Sequence, residues 1–167
     1  MRALFLAAAL LTLFFSAPGF ACSLELPKGK TVLTVQGRIG ECNVENRVDF
    51  DLAMIEALPK TVVKTENPWE QGVVSYEGVL LRDFLAHVKA EGSILRIEAL
   101  NDYRSDITAA DAEAYDVILA YKREGNYMPV REKGPFFVVF PFTDLPSLAT
   151  EERFGQSVWQ VSRITVR

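Results

Sequence analysis

Hydrophobic positions fall in short blocks along residues 31–166, and these blocks predict strands joined by short helices. Segments that alternate or are rich in β-branched residues predict strands; they are residues 31–36, 61–65, 73–76, 94–100, 117–121, 136–140 and 158–166. Apolar residues at helical spacing predict helices over 52–58 and 80–89. Thr108 and Asp111 begin a third helix in the manner of a capping box. The pattern predicts a strand-rich α+β single domain.

The first 21 residues have a different pattern from the rest of the chain. An apolar run from Ala3 to Phe15 follows Arg2, and the small residues Ser16 and Ala17 come after it. This order is typical of a secretory signal peptide, and the run is short for a membrane span. We therefore expect residues 1–21 to be a signal peptide and residues 22–167 to form a soluble domain outside the cytoplasm.

The two cysteines, Cys22 and Cys42, lie near the expected new N-terminus. In an oxidising compartment they are candidates for a disulfide. Two alternatives stay open: Cys22 carries a lipid as the first residue of a lipoprotein, or Cys42 is a reactive thiol. The residues before Cys22 lack the large aliphatic side chain that normally stands three positions before a lipidated cysteine, and no base adjoins Cys42 in sequence.

Composition excludes several classes of site. One histidine and two cysteines are too few for a structural zinc site, which usually takes four such ligands. A formal charge of −4 gives no excess of positive charge for binding nucleic acid. The only histidine, His87, lies on the polar side of its helix, and the chain has no G-x-S-x-G motif or phosphate-binding glycine loop. We predict no metal ligands and no catalytic residue.

Three polar loops contain aromatic residues, proline or basic residues: residues 65–69, 101–103 and 131–135. If these loops met at one rim, Trp69 or Tyr103 would stack on a flat heteroaromatic ligand, while amides and carboxylates paired with its ring edge. Arg131 and Lys133 would meet anionic groups. Each loop also has a plain structural explanation, since Trp69 suits a partly buried core and Asn101 and Asp102 suit a turn.

Six segments, read in order, form a series of motifs: residues 50–59, 65–69, 76–83 (Tyr-Glu-Gly-Val-Leu-Leu-Arg-Asp), 100–103, 133–135 (Lys-Gly-Pro) and 159–160. The series resembles small exported proteins of the sulfite-oxidase (molybdopterin-binding) fold and covers nearly all of residues 22–167. The resemblance implies the α+β molybdopterin-binding fold.

Catalytic members of that superfamily bind molybdenum through a cysteine thiolate, in the loop after the strand that follows the first short helix. Thr65 holds this place here, and a neutral hydroxyl is a poorer ligand for a soft metal than a thiolate. The basic residues that hold the cofactor's phosphate in the family are also few, since Trp159 and Gln160 stand where a lysine is common. The resemblance therefore favours a pterin site without the metal.

A subgroup with that property consists of periplasmic regulators that bind a reduced pterin and contact a membrane-bound cyclic-di-GMP enzyme. By this resemblance the ligand-binding residues are Thr65, Glu66, Asn67, Trp69, Asn101, Asp102, Tyr103 and Arg131. We expect a periplasmic pterin-binding sensor or accessory protein. The alternatives are a molybdopterin-dependent oxidoreductase and a protein-interaction module without a ligand.

Overall fold

The computed structural model describes residues 22–167, and the predicted signal peptide lies outside the described residues. In this part of the chain ten strands form two sheets: β1 (Leu33–Gly37), β2 (Arg47–Phe50), β3 (Lys60–Thr65), β4 (Val74–Leu80), β5 (Ile94–Ala99), β6 (Arg104–Thr108), β7 (Ile118–Arg123), β8 (Asn126–Tyr127), β9 (Phe137–Val139) and β10 (Val161–Val166). Four short helices connect them: α1 (Leu52–Glu56), α2 (Leu81–His87), α3 (Ala109–Ala114) and α4 (Glu151–Gln156). Single 3₁₀ turns cover Val130–Glu132 and Pro146–Leu148.

The first sheet has the strand order β2-β1-β10-β5-β6, so the last strand in sequence lies at its centre. β10 pairs with β1 in parallel and with β5 antiparallel. The second sheet has the order β3-β4-β7-β8, with β9 also paired to β7. The α+β prediction is therefore confirmed, with strands as the larger part.

Two groups of buried apolar side chains stabilise this arrangement. The larger one joins the first sheet to the helices and includes Phe50, Phe84 and Phe140, all fully buried. The smaller one lies on the second sheet around Tyr76 and Phe137, and Trp69 and Trp159 pack against it. Burial of this apolar surface is the main favourable contribution to folding.

Four of these strands and helices were not predicted: β2, β6, the two-residue β8, and α4. β2 ends just before α1, whose cap is Asp51; the Asp51 carboxylate accepts the Met54 N–H at 2.9 Å. β6 is an edge strand with Ile107 as its only buried residue. In α4 the only buried residue is Gln156. Such segments lack the apolar periodicity on which the prediction depends.

The two cysteines form a disulfide, with a Cα–Cα distance of 4.6 Å. It joins the N-terminal segment to the residues before β2, where Leu24 also donates its N–H to the Cys42 carbonyl at 3.1 Å. A sulfur in this bond carries no lipid and is not a nucleophile. Among residues 22–167 no helix is both long and apolar enough to cross a membrane.

Candidate functional site

A cavity of about 450 Å³ opens between the loop after β3, the β5–β6 connection and the segment from α4 to β10. This volume is within the range of small-molecule sites. We name it the tryptophan cavity. Its loop wall is formed by Pro68, Trp69, Ala99, Asn101 and Tyr103, and its helix wall by Glu151, Phe154, Gly155, Ser157, Val158 and Trp159.

The only two tryptophans of the chain, one in each wall, contact each other edge to face. The ring centroids of Trp69 and Trp159 are 5.3 Å apart, and the rings are inclined at 80°. The rings of Phe137 and Phe154 lie 5.9 and 6.1 Å from that of Trp69, also edge to face. Both indoles are partly exposed, so they offer aromatic surface to a flat ligand.

Trp159 reaches this position because the chain after α4 runs beside β9. Val138 donates its N–H to the Val158 carbonyl at 2.9 Å, and Phe137 forms an isolated bridge with Trp159. The Gln160 N–H then bonds the Lys133 carbonyl at 2.9 Å. The helix wall is thereby attached to the second sheet and to the Lys-Gly-Pro turn.

Asn67 shapes the loop that carries Trp69. Its side-chain oxygen accepts the Trp69 N–H at 3.1 Å, and its amide NH₂ donates to the Tyr76 hydroxyl at 3.0 Å. Burial raises the pKa of Tyr76 to about 12, so its phenol stays neutral at physiological pH. Both ends of the Asn67 amide are therefore committed to holding the loop.

Glu70 attaches the same loop to two other elements. Its carboxylate accepts from Lys133 at 2.7 Å and from Arg123 at 2.9 Å. Burial raises the pKa of Glu70, but the hydrogen bonds and positive charges of Lys133 and Arg123 outweigh burial and bring that pKa below its ordinary value. The Trp69 loop is thus tied to β7 and to the Lys-Gly-Pro turn.

The β5–β6 connection completes the loop wall. The Asn101 side-chain oxygen accepts the Tyr103 N–H at 3.2 Å, and the Tyr103 hydroxyl donates to the Gly155 carbonyl at 2.8 Å. This second bond joins the loop wall to the helix wall. Asp102 has a φ of 64°, and it makes the tight turn without lining the cavity.

The helix wall is attached to α3 by a bidentate ion pair. Arg153 donates two hydrogen bonds of 2.8 Å to the Asp111 carboxylate and a third to the Gln156 side-chain oxygen. These hydrogen bonds lower the pKa of Asp111 despite its partial burial. The Arg153 guanidinium also lies over the rings of Tyr115 and Phe140, and it does not line the cavity.

Three of the eight predicted ligand-binding residues line the cavity: Trp69, Asn101 and Tyr103. Thr65 is fully buried; its hydroxyl donates to the Glu66 carbonyl at 3.0 Å and accepts the Thr143 N–H at 3.1 Å. Glu66 and Asn67 line a neighbouring hollow, which shares Pro68 and Phe154 with the tryptophan cavity. Arg131 is exposed and pairs with Glu132.

The helix wall was not predicted, although it supplies six of the eleven lining residues. The only signal in the sequence was Trp159, which belongs to the last motif of the family resemblance and was not predicted to bind the ligand. α4 is too short and too polar on its surface for its hydrophobic pattern to indicate a functional wall.

Comparison with known protein families shows to which family the chain belongs. The model of the family described as "Oxidoreductase molybdopterin binding domain" matches residues 33–143, and the chain belongs to this family. The match includes the loop wall and ends before the helix wall. No curated protein matches the chain.

The described residues do not fit the molybdenum and phosphate of molybdopterin. Cys22 and Cys42, the chain's only cysteines, are bonded to each other, and the Thr65 hydroxyl is buried in local hydrogen bonds. Within residues 22–167 no lysine, arginine or histidine lines the cavity. The same residues contain no group of three histidine, cysteine, aspartate or glutamate side chains close enough together to bind a metal ion. The aromatic rings and the Asn101 amide do fit the ring system of a pterin.

Proposed function

We propose that this member of the molybdopterin-binding family is a periplasmic pterin-binding protein that acts as a sensor or accessory regulator without molybdenum chemistry. The observation that carries the proposal is the tryptophan cavity, which is lined by two indoles in contact with each other and by the polar side chains of Asn101, Tyr103, Glu151 and Ser157. The chain thus offers the surface that a bicyclic heteroaromatic ring requires, without a thiolate in the described cavity lining to hold a metal.

Residues of both walls would hold the ring. The faces of Trp69 and Trp159 supply stacking, which contributes beyond the burial of apolar area alone. The Asn101 amide has an NH₂ donor and an oxygen acceptor, which suit the alternating donors and acceptors of a pterin edge. Tyr103 is oriented by its bond to Gly155 and closes the mouth between the walls.

Two observations support a regulatory role in place of turnover. Within the described residues the cavity lining has no histidine, cysteine or lysine, the usual bases and nucleophiles, and Glu151 supplies the one carboxylate of the lining. Leu100 and Val130 are half exposed, and both are bonded through their backbones to Gln160, the residue after Trp159. A partner protein that distinguishes the ligand-bound from the ligand-free form would contact this apolar surface. The family resemblance points to a membrane-bound cyclic-di-GMP enzyme as that partner.

The decisive experiment is mass spectrometry of the small molecule released from natively purified, exported protein, with metal analysis of the same sample. The proposal predicts a pterin in near-stoichiometric amount and no stoichiometric molybdenum. A different organic ligand, or molybdenum with a phosphorylated pterin, would contradict it.

Binding can be measured through the protein's own fluorescence. Because both tryptophans of the chain lie at the cavity, quenching by an added pterin reports on that site alone. The variants Trp69→Phe and Trp159→Phe each leave one indole, so the two signals can be measured separately. Saturable quenching in both variants is expected, and quenching without saturation would indicate collisional contact only.

A molybdopterin-dependent oxidoreductase is the second candidate, and family membership is the observation that favours it. It predicts molybdenum in the purified protein and electron transfer from a substrate to an artificial acceptor. It also requires a metal ligand other than the two bonded cysteines.

A further inference from the structure

We infer that the tryptophan cavity takes uncharged pterins and rejects pterins that carry a phosphate, so that the free pterin and not its phosphate ester is the ligand. This inference rests on the proposed function and specifies the ligand class. It comes from the charges on the two walls, which have the wrong sign for a phosphate.

The cavity lining is acidic. Glu151, the first residue of α4, is the one charged side chain among the lining residues of the described chain. None of the ion pairs among residues 22–167 involves Glu151, so its charge is not neutralised by a neighbouring lysine or arginine there. Glu152, the next residue, is also exposed but does not line the cavity.

Four basic side chains lie close to the walls in sequence or in the turn that Gln160 contacts, and all four are paired with carboxylates. They are Arg104 paired with Glu98, Arg131 with Glu132, Lys133 with Glu70, and Arg153 with Asp111. The last two pairs are mostly buried and have distances of 2.7 and 2.8 Å. A phosphate in the cavity would therefore have to break one of these ion pairs to gain any of the four side chains as its partner.

A phosphate monoester carries a charge of about −1.5 to −2 at neutral pH. Near the Glu151 carboxylate this charge is repelled, and it also loses part of its hydration on entering the cavity. At a separation typical of a ligand tail and a rim residue, Coulomb repulsion alone predicts affinity weaker by about tenfold. The same repulsion leaves a hydroxylated, uncharged side chain unaffected.

The test compares tetrahydroneopterin with its phosphate monoester in fluorescence titrations of the exported protein under anaerobic conditions. We expect the free pterin to bind at least about tenfold more tightly at low ionic strength. Salt should narrow this ratio, because added ions screen the repulsion. A steric barrier would give a ratio that does not change with salt.

Matched variants assign the effect to one carboxylate. Glu151→Gln should reduce the ratio of the two affinities severalfold, and Glu151→Lys should reverse it. Glu152→Gln removes the same charge one residue away from the lining and should leave the ratio unchanged. Circular dichroism of each variant checks that the fold is retained.

The outcomes separate the two proposals. Equal or tighter binding of the phosphate ester overturns the inference and leaves pterin binding intact. A ratio that is insensitive to Glu151 also overturns it, as does loss of ester binding on Arg131→Ala, which would show a basic side chain at the ligand. If folded protein binds neither pterin, the proposed function fails and the inference fails with it.

Discussion

The two walls of the tryptophan cavity differ in origin and in charge. The loop wall lies within the segment that matches the family model, and the helix wall follows that segment. Asn67 and Glu70 hold Trp69 in the loop wall, and the Arg153–Asp111 pair attaches the helix wall to α3. The family segment thus supplies a scaffold with one indole. The second indole and the charge of Glu151 come from the helix wall.

The variant Trp69→Ala is the most severe test of the comparison, because this loop-wall residue contacts two aromatic rings of the helix wall and the ring of Phe137 in β9. We expect pterin affinity to fall by more than about hundredfold, and the free energy of unfolding to fall by about 3 kcal/mol, as for other large-to-small changes. Chemical denaturation and ligand titration measure the two effects. Trp69→Phe is the control and should retain most of the stability. Unchanged binding by a folded Trp69→Ala variant would remove the loop wall from the site.

The double variant Cys22→Ser, Cys42→Ser removes the disulfide. It tests whether a loss of stability away from the cavity affects either wall. The disulfide joins two residues that are 20 positions apart in sequence. Loss of such a cross-link is expected to lower the free energy of unfolding by about 3 kcal/mol. Neither cysteine lines the tryptophan cavity, so pterin affinity at a temperature where the variant is folded should not change. A large loss of affinity would show that the walls depend on the N-terminal segment.

Asp111→Asn loosens the helix wall alone. Arg153 would keep its charge without a carboxylate partner, and the pair is largely buried, so we expect a loss of about 2 kcal/mol, between the values for surface and buried pairs. The hydrogen bonds from Arg153 lower the pKa of Asp111 in the folded state, so its contribution is complete above the unfolded-state pKa. The difference in stability between wild type and variant should therefore be full above about pH 4 and shrink as pH falls further. Urea denaturation at several pH values measures it.

The smallest expected effect is that of Glu70→Gln, which loosens the loop wall without removing an aromatic ring. A glutamine keeps an oxygen that can accept hydrogen bonds from Lys133 and Arg123, and Arg123 is 31% exposed, so we expect a loss of about 1 kcal/mol in stability and about fivefold in pterin affinity. The two indoles lie close enough for their transitions to couple, so far-ultraviolet circular dichroism should show a change in their mutual orientation. Glu77→Gln removes a comparable pair with Lys122 away from the cavity and serves as the control.

Local signals in the sequence were sufficient for most of the fold. The apolar residues of α2 recur at helical spacing, and the strands β4, β7 and β9 are rich in buried apolar residues. β7 and β8 form a tight hairpin, where Glu124 and Gly125 have φ values of 48° and 76°, and glycine at such a position is a common signal for a turn. β2 and β6 could not be identified in this way, because each is a sheet edge with polar residues in its sequence.

Residues of the candidate site could be predicted only where a residue type was unusual for its segment. Trp69 and Tyr103 are aromatic residues in polar loops, and both line the cavity. Trp159 meets Trp69 through the pairing of its segment with β9, a contact 90 residues distant in sequence that periodicity does not encode. Arg131 was assigned to the ligand from the resemblance, but the 3₁₀ turn at Val130–Glu132 exposes its side chain.

The central position of β10 affects the order in which the chain can fold. In the first sheet β10 lies between β1 and β5. One hydrogen-bonding edge of β1 and one of β5 therefore stay unpaired until residues 161–166 have been synthesised. Pairings between such distant segments form slowly, since the loop-closure entropy is lost before the contacts are gained. A nascent chain that ends before β10 therefore exposes the unpaired edges of two central strands. Such a chain remains open to binding by chaperones through almost the whole of its synthesis.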